Sequence, residues 1–251
     1  MIEGFGKSLV LVTGASRGVG LSIARCLSAA GYGVVAASRS RSEELDALIE
    51  ATVRSGGGPI EYRGLDLARH DSFHEFTSRL KAEFGVPYGV VHNAAIARDG
   101  VLATLHDSDI AAQIAVNLTG TILLTKYILR AMLTRGGAGR IVLVSSIAAS
   151  TGFTGLSVYG ATKAGLHGFA LSLAREIGRL SVTVNTVSPG FMETAMSEGL
   201  NPEQRERIRR RSPLGTLAEP DDIAAAVHYL LSPEAARITG TDLTIDAGSS
   251  I

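Results

Sequence analysis

The sequence predicts an α/β fold: a single-domain, doubly wound parallel sheet of seven strands with helices on both faces. Seven short runs rich in valine, isoleucine and leucine recur along the 251 residues, and longer stretches with apolar residues at helical spacing separate them. Some runs are apolar throughout, as in Ile141–Val144, which is typical of strands buried on both faces of a parallel sheet. The regular alternation of strand and helix favours one doubly wound domain over residues 1–251.

Each element has its own signal in the sequence. Strands are predicted from short apolar runs and helices from apolar residues three or four positions apart. We predict strands at Ser8–Thr13, Gly33–Ser38, Ile60–Leu65, Gly89–His92, Arg140–Ser145, Val182–Val187 and Asp242–Ile245. We predict helices near residues 18–31, 42–56, 71–84, 107–135, 157–179 and 220–231. Residues 190–214 place prolines around a polar, helix-like stretch, and we expect this segment to be a substrate loop or lid.

Composition and charge exclude several classes of protein. The 24 Lys and Arg residues balance the 24 Asp and Glu residues, so we expect no attraction to nucleic acid or to an anionic membrane. No apolar run approaches the roughly 18 residues that a membrane span needs, and no targeting segment is recognised. Cys26 is the single cysteine, which excludes an intrachain disulfide and predicts a reducing, cytoplasmic location.

The turn after the first strand contains three closely spaced glycines. It reads Gly14-Ala15-Ser16-Arg17-Gly18-Val19-Gly20 and lies between an apolar strand and an amphipathic helix. Gly14 suits a tight turn, Gly18 lets the backbone approach a pyrophosphate, and Gly20 allows close packing of helix on strand. Free N–H groups and the helix dipole at this point favour a bound anion. The turn therefore predicts that the protein binds a dinucleotide.

The end of the second strand indicates which dinucleotide is bound. A cofactor with a free ribose 2′-hydroxyl usually meets an acidic residue there, but this chain has Ser38-Arg39 and no acid before Glu43. The guanidinium groups of Arg39 and Arg17 present forks of donors that match phosphate oxygens. We therefore predict NADP(H) rather than NAD(H).

A phenol and an ammonium lie four residues apart in Tyr159-Gly-Ala-Thr-Lys163, which places them on one face of a helix. The phenol pKa, ordinarily near 10, must fall by about 3 units, or roughly 4 kcal/mol, for ready proton exchange at neutral pH. A cation beside it in a partly dry site, with a positively charged nicotinamide, supplies energy of that order. Ser146 offers a hydroxyl to hold a substrate oxygen. Asn117 is a candidate to bind water that links Lys163 to solvent.

These features together resemble the short-chain dehydrogenase/reductase family over nearly the whole chain. The matching stretches are Thr13–Gly20, Leu65-Asp66-Leu67, Asn93-Ala94, Asn117, Ser146, Tyr159 to Lys163, and Pro189-Gly190 to Thr194. The resemblance implies a Rossmann-type sheet. It also implies a catalytic tetrad of Asn117, Ser146, Tyr159 and Lys163, in which Tyr159 gives the proton during reduction.

The resemblance also implies how the remaining positions meet the cofactor. Asp66 would contact the adenine with Leu67 beside it, Asn93 and Ala94 would line the cleft, and Lys163 would hold the nicotinamide ribose. The segment from Pro189 and Gly190 to Thr194 would contact the nicotinamide carboxamide. The full set of implied cofactor contacts is Gly14, Ser16, Arg17, Gly18, Val19, Gly20, Ser38, Arg39, Asp66, Leu67, Asn93, Ala94, Tyr159, Lys163, Pro189, Gly190 and Thr194.

Within this family the chain is most similar to the 3-oxoacyl-(acyl-carrier-protein) reductases. That similarity implies NADPH-dependent reduction of a carrier-bound 3-oxoacyl thioester by a homotetramer. Arginines near the cleft would suit an acidic carrier, and the candidates are Arg135, Arg140, Arg179 and Arg205–Arg211. Two alternatives stay open: an NADP-dependent enzyme for another small alcohol or ketone, and a non-catalytic dinucleotide-binding subunit that pairs with an active paralogue.

Two positions depart from the usual family pattern. Ala95 and Ala149 stand where glycines are usual, so we expect effects on cofactor affinity and substrate specificity rather than on the tetrad.

His70 and His74 lie four residues apart but have no evident third ligand. We therefore predict no metal.

Overall fold

Seven parallel strands form a single sheet in the order β3-β2-β1-β4-β5-β6-β7. The structure is a computed structural model that describes residues 8–192 and 202–251. All neighbouring strands pair in parallel, so the predicted α/β fold with a seven-stranded parallel sheet is confirmed. The strand order reverses at β1 and β4, which leaves a crevice at the carboxyl ends of these strands, where ligands bind in such folds.

The strands closely match the predicted runs. They are β1 Leu9–Thr13, β2 Gly33–Ser38, β3 Ile60–Gly64, β4 Gly89–His92, β5 Gly139–Val144, β6 Val182–Pro189 and β7 Asp242–Ile245. Every residue of β1, β2, β4, β5 and β6 is buried. This burial explains why the central strands have apolar runs rather than alternating polar and apolar residues.

The helices are α1 Gly18–Ala29, α2 Glu43–Ser55, α3 Phe73–Phe84, α4 Asp107–Ile114, α5 Thr121–Arg135, α6 Ser157–Ile177, α7 Pro202–Arg211 and α8 Pro220–Leu231. Short 3-10 turns precede α3 and follow β5, at His70–Ser72 and Ile147–Ala149. The polar stretch within residues 190–214 contains helix α7, and residues 193–201 lie outside the described part of the chain.

The helices cover both faces of the sheet. Along β1, Leu9 and Leu11 enter one core together with side chains of α3, α5 and α6. Val10 and Val12 enter the second core together with α1, α2 and α8. Because successive strand side chains point to opposite faces, one apolar run supplies both cores.

The predicted long helix over residues 107–135 is present, but its hydrogen-bond spacing changes in the middle. Between α4 and α5, Ala115–Gly120 form a π-helical turn, which the apolar pattern did not predict.

By length and hydropathy the stretch Asp107–Arg135 resembles a membrane span. Its inner face, however, joins the core through Leu124 and Ile128, which are buried against the sheet. This is the setting of a core helix.

Candidate active site

The glycine-rich turn brings the start of α1 close to the ends of two strands. Gly14 has φ +67°, and a Cβ there would lie 2.8 Å from Cα of Ala94. A Cβ on Gly20 would lie 2.2 Å from the carbonyl oxygen of Gly14. Gly18, in contrast, has φ +55° and no heavy atom within 4 Å of an added Cβ. Gly14 and Gly20 are therefore required for packing, whereas Gly18 faces open space at the helix N-terminus.

Asn93 ties the end of β4 to the end of β1. Its Nδ2 donates to the carbonyl oxygens of Thr13 and Gly14, at 3.1 and 3.2 Å. The hydroxyl of Thr13 accepts from the backbone N–H groups of Asn93 and Ala94, each at 3.1 Å. Asn93 therefore shapes the floor of the crevice by fixing the backbone. The partner hydroxyl of Thr13 was missed by sequence reasoning, because a threonine at a strand end has no distinctive pattern.

Two exposed arginines border the crevice. Arg17 precedes α1, and Arg39 follows Ser38 at the end of β2. In the described part of the chain neither guanidinium forms an ion pair, whereas nearby Arg41 pairs with Asp46. Ser38 is buried and donates to the carbonyl of Ser40, at 2.8 Å. The arrangement leaves two free cations beside a crevice that already favours anions.

Asp66 and Leu67 lie at the third strand's carboxyl end. The half-buried Asp66 accepts from the backbone N–H of Ala68 at 3.0 Å through Oδ1. Leu67 is buried in the core, and its carbonyl oxygen packs against Gly120. A side chain at Gly120 would come within 2.5 Å of that oxygen. The segment is thus fixed against the π-helical turn.

Ser146, Tyr159 and Lys163 come together where β5 ends. Ser146 lies in the turn after β5 and accepts from the backbone N–H of Ala148 at 3.1 Å. Its side chain is also hydrogen-bonded to Tyr159. Helix α6 carries Tyr159 and Lys163, and Nζ of Lys163 lies 5.6 Å from the centre of the Tyr159 ring. Gly160 allows α6 to approach the turn after β5 closely, because a Cβ there would lie 2.8 Å from the Ala148 carbonyl oxygen.

Burial shifts both titratable groups away from their charged forms. Lys163 is 2% exposed, and its ammonium donates to the carbonyl of Val144 at 2.6 Å. Its burial lowers the pKa of Lys163 from 10.5 to about 8. Burial raises the pKa of Tyr159, the hydrogen bond with Ser146 lowers it, and the charge of Asp99 raises it further. The phenol therefore keeps its proton at neutral pH. The lower phenol pKa expected from the sequence also requires the positive charge of a bound, oxidised nicotinamide.

Asn117 lies in the π-helical turn. Both N–H groups of its side-chain amide donate hydrogen bonds to protein atoms. Nδ2 donates to the carbonyl of Ile96 at 2.8 Å and to the hydroxyl of Thr162 at 3.2 Å. Oδ1 accepts from the backbone N–H of Ile96 at 2.8 Å. Thr162 precedes Lys163, so Asn117 contacts the helix that carries the tyrosine and the lysine. A water bound to the Asn117 side chain would therefore have to donate to the second lone pair of Oδ1.

Comparison with known proteins agrees with this geometry. The chain matches the family described as enoyl-(acyl carrier protein) reductase over residues 14–250. It is 39% identical to the 3-oxoacyl-(acyl-carrier-protein) reductase of Vibrio cholerae serotype O1, with 96% of each chain covered. The corresponding Escherichia coli reductase is 38% identical, with 97% of this chain and 98% of that protein covered. The chain belongs to the short-chain dehydrogenase/reductase family.

A solved structure has the same fold. The crystal structure of an actinorhodin polyketide ketoreductase variant with NADPH superposes with a TM-score of 0.89. The two sequences are 32% identical, and 97% of each chain is covered. The two short-chain dehydrogenase/reductase chains therefore share one fold over nearly their whole length.

Pro189 and Gly190 close the other side of the crevice. Pro189 is the last, buried residue of β6, and Gly190 donates its backbone N–H to the carbonyl of Ile245 at 2.8 Å. A Cβ on Gly190 would lie 2.4 Å from Cβ of Asp246. Glycine is required here by the close approach of β6 and β7. Thr194, also assigned to this segment, lies outside the described residues.

The two alanines that replace usual glycines sit in ordinary backbone. Among described non-glycine residues, positive φ angles occur at Ser181 and Ala247. Ala95 and Ala149 therefore need no left-handed conformation, and their methyl groups are accommodated without backbone strain. Ala149 donates its backbone N–H to the carbonyl of Ser146 at 3.0 Å within the short turn after β5.

Three of the arginines expected near the cleft lie at the amino-terminal ends of the strands, on the side of the sheet opposite the crevice. Arg140 is at the start of β5 and 3% exposed. Arg135 ends α5 and donates to the carbonyl of Pro87 at 2.8 Å, ahead of β4. Arg179 follows α6 and precedes β6. Because the crevice lies at the carboxyl ends of the strands, the expectation for these three residues was wrong. Exposed arginines on α7, from Arg209 to Arg211, follow the segment that begins at Gly190.

Proposed function

We propose that this enzyme reduces the 3-oxo group of an acyl thioester to the 3-hydroxy group, with NADPH as cofactor and acyl carrier protein as the substrate's carrier. The observation that carries the proposal is the grouping of Ser146, Tyr159 and Lys163 beside a crevice that suits a dinucleotide. The 3-oxoacyl-(acyl-carrier-protein) reductases that cover nearly the whole chain support the substrate class. The NADPH in the related ketoreductase structure supports the cofactor.

The residues that border the crevice suit a phosphorylated dinucleotide. The open position at Gly18 leaves room for a pyrophosphate at the N-terminus of α1. Arg17 and Arg39, exposed and without ion-pair partners in the described chain, would hold a 2′-phosphate. Asp66 would meet the adenine, and Lys163, Pro189 and Gly190 would lie towards the nicotinamide end. Thr194 would complete that end.

The proton chemistry follows from the tetrad. NADPH, when bound, supplies the hydride that forms the new C–H bond at the 3-oxo carbon. The hydroxyl of Ser146 would hold the substrate oxygen, and Tyr159 would give its proton to that oxygen as the C=O bond becomes a C–O–H group. Lys163, charged below about pH 8, favours the phenolate that remains. Asn117 would fix α6 relative to the segment that contains Ile96.

We further propose how the chain is organised, where it acts and with what it assembles. Residues 1–251 would form a single domain, with residues 190–214 closing over the substrate. The exposed arginines of α7 would meet the acidic surface of a carrier protein. The enzyme would act in the cytoplasm as a homotetramer, with pairing to a paralogue as the alternative assembly.

A substrate comparison tests the proposed function. Purified enzyme is supplied with NADPH and, in turn, with acetoacetyl, crotonyl and carrier-bound 3-oxoacyl thioesters, while NADPH absorbance is followed. We expect oxidation of NADPH with both 3-oxo thioesters, a higher kcat/KM for the carrier-bound one, and no oxidation with crotonyl thioester. Turnover of crotonyl thioester alone would favour enoyl reduction, in line with the description of the matched family.

Two further outcomes separate the remaining alternatives. NADP-dependent turnover of free alcohols or ketones in preference to thioesters would show that the substrate is a small alcohol or ketone and not an acyl thioester. Binding of NADPH without turnover of any carbonyl compound would indicate a non-catalytic subunit.

A further inference from the structure

We propose that His70 is a positioning residue for Asn117, acting through the backbone of the π-helical turn between α4 and α5. This inference rests on the proposed function, because it assigns a consequence for catalysis to a residue outside the tetrad. His70 stands out in the sequence as half of a histidine pair with His74. Among the described residues no group of three or more His, Cys, Asp or Glu side chains is arranged to hold a metal.

His70 contacts the π-helical turn directly. Its Nε2 lies 3.0 Å from the carbonyl oxygen of Ala115, the first residue of the turn. A carbonyl oxygen only accepts, so Nε2 carries the hydrogen of this bond. Both the neutral Nε2–H tautomer and the imidazolium satisfy that requirement. The contact therefore does not depend on the charge of His70.

The turn needs such a partner. A π-helical turn widens the backbone hydrogen-bond spacing to five residues and weakens the regular helical pairing of its carbonyl groups. An external donor on the carbonyl of Ala115 stabilises the turn against reversion to regular α-helix. Reversion would rotate the residues that follow, and Asn117 is two positions further along the chain.

A second contact connects the same two segments. The carbonyl oxygen of Leu67 packs against Gly120, where a Cβ would lie only 2.5 Å away. The segment from Asp66 to His70 thus touches both ends of the π-helical turn.

The effect of the turn reaches the catalytic helix through Asn117. That side chain bonds the backbone of Ile96 on one side and the hydroxyl of Thr162 on the other, at 2.8 and 3.2 Å. Thr162 is adjacent to Lys163 on α6. A shift of Asn117 would therefore change how α6 is held, without removing any group that touches substrate or cofactor.

Five variants test the proposal. His70→Leu removes the donor, His70→Gln keeps an N–H at a similar reach, and His74→Leu removes the exposed neighbouring imidazole as a control. The last two are Asn117→Ala alone and its combination with His70→Leu. For each variant, NADPH binding gives the number of active sites, and kcat and KM are measured with acetoacetyl thioester.

The proposal predicts a specific pattern. His70→Leu lowers kcat about tenfold, as expected when a catalytic group is misplaced, while KM and NADPH affinity stay within about twofold. His70→Gln recovers most of the loss, and His74→Leu behaves as wild type. In the Asn117→Ala background, His70→Leu has no further effect, because both changes act at the same point. An unchanged kcat in His70→Leu, or additive losses in the double variant, would overturn the proposal.

A structural readout keeps this result separate from the proposed function. Amide hydrogen exchange in residues 115–121 should be about tenfold faster in His70→Leu than in His74→Leu, whether or not the protein reduces thioesters. Equal exchange rates would overturn the role of His70. If His70→Leu does not fold, His70→Asn provides a shorter amide that does not reach Ala115. A wild-type protein inactive on all 3-oxoacyl thioesters would overturn the proposed function alone.

Discussion

The ammonium of Lys163 lies 5.6 Å from the centre of the Tyr159 ring, one helical turn along α6, and is buried against the carbonyl of Val144. The pair therefore places a positive charge beside a phenol in a partly dry site. Burial disfavours the charge on Lys163 and also disfavours a phenolate at Tyr159. These two costs define how the site depends on pH.

The first prediction concerns the alkaline limb of the activity profile. Burial lowers the pKa of Lys163 to about 8, so the ammonium is lost as pH rises through 8. We expect kcat/KM for a 3-oxoacyl thioester to fall about tenfold per pH unit above that value, because this parameter reports the free enzyme. A pH series in constant ionic strength measures it. A profile flat to pH 10 would contradict the assigned role.

The second prediction is that catalysis and stability conflict at Lys163. A pKa lowered from 10.5 to about 8 corresponds to about 3 kcal/mol disfavouring the charged folded form, at roughly 1.4 kcal/mol per unit. Below pH 8 the folded protein bears this cost. Between pH 8 and 10.5 the unfolded chain binds more protons than the folded one, so stability rises with pH across that window.

Lys163→Met removes the buried charge and should therefore be inactive yet more stable at pH 7. Allowing for the lost hydrogen bond to Val144, we expect a gain of about 2 kcal/mol, or about 4–8 °C in Tm. The gain should disappear near pH 10.5. Thermal unfolding at both pH values checks this, and a lower Tm for the variant at pH 7 would show that the buried ammonium stabilises the fold instead.

The third prediction concerns cofactor choice. Arg17→Ala and Arg39→Ala should each weaken NADPH binding about tenfold, since a charge-assisted hydrogen bond contributes about 1.5–3 kcal/mol. Neither change should affect NADH. Arg41→Ala is the matched control, because Arg41 is exposed nearby but pairs with Asp46. Fluorescence titration with both cofactors measures the effect, and equal losses for NADH and NADPH would argue against a 2′-phosphate contact.

The fourth prediction separates binding from folding within one turn. Gly18→Ala adds a methyl group to open space, so the protein should fold with a loss of about 1–2 kcal/mol from the left-handed backbone and bind NADPH poorly. Gly20→Ala places Cβ 2.2 Å from the Gly14 carbonyl oxygen and should destabilise the fold severely. Urea unfolding and NADPH titration distinguish them. A stable Gly20→Ala protein would refute the packing role of Gly20.

Much of the fold was predictable because each strand has a local signal. Ile141–Val144 is an apolar run that reports burial on both faces, and the observed strand begins only two residues earlier. The π-helical turn at Ala115–Gly120 was not predictable, since its apolar residues keep helical spacing on both sides. Helix α7 is polar and has no apolar face from which its bounds could be read.

The candidate site was predictable where spacing alone decides position. Four residues on a helix place Tyr159 and Lys163 on one face, and glycine spacing locates the turn at Gly18. Contacts made through tertiary structure were missed. The bond from Asn117 to Ile96 and the bond from His70 to Ala115 join segments more than 20 and 40 residues apart, and no local pattern encodes them.

The most direct test of the account is Tyr159→Phe, which removes a single hydroxyl and leaves the ring that packs beside Lys163. The variant should bind NADPH with nearly wild-type affinity and retain less than about one thousandth of the wild-type kcat on a 3-oxoacyl thioester, since general acid catalysis contributes about 10²–10⁴-fold. Turnover within tenfold of wild type, with NADPH binding intact, would show that the proton comes from another group.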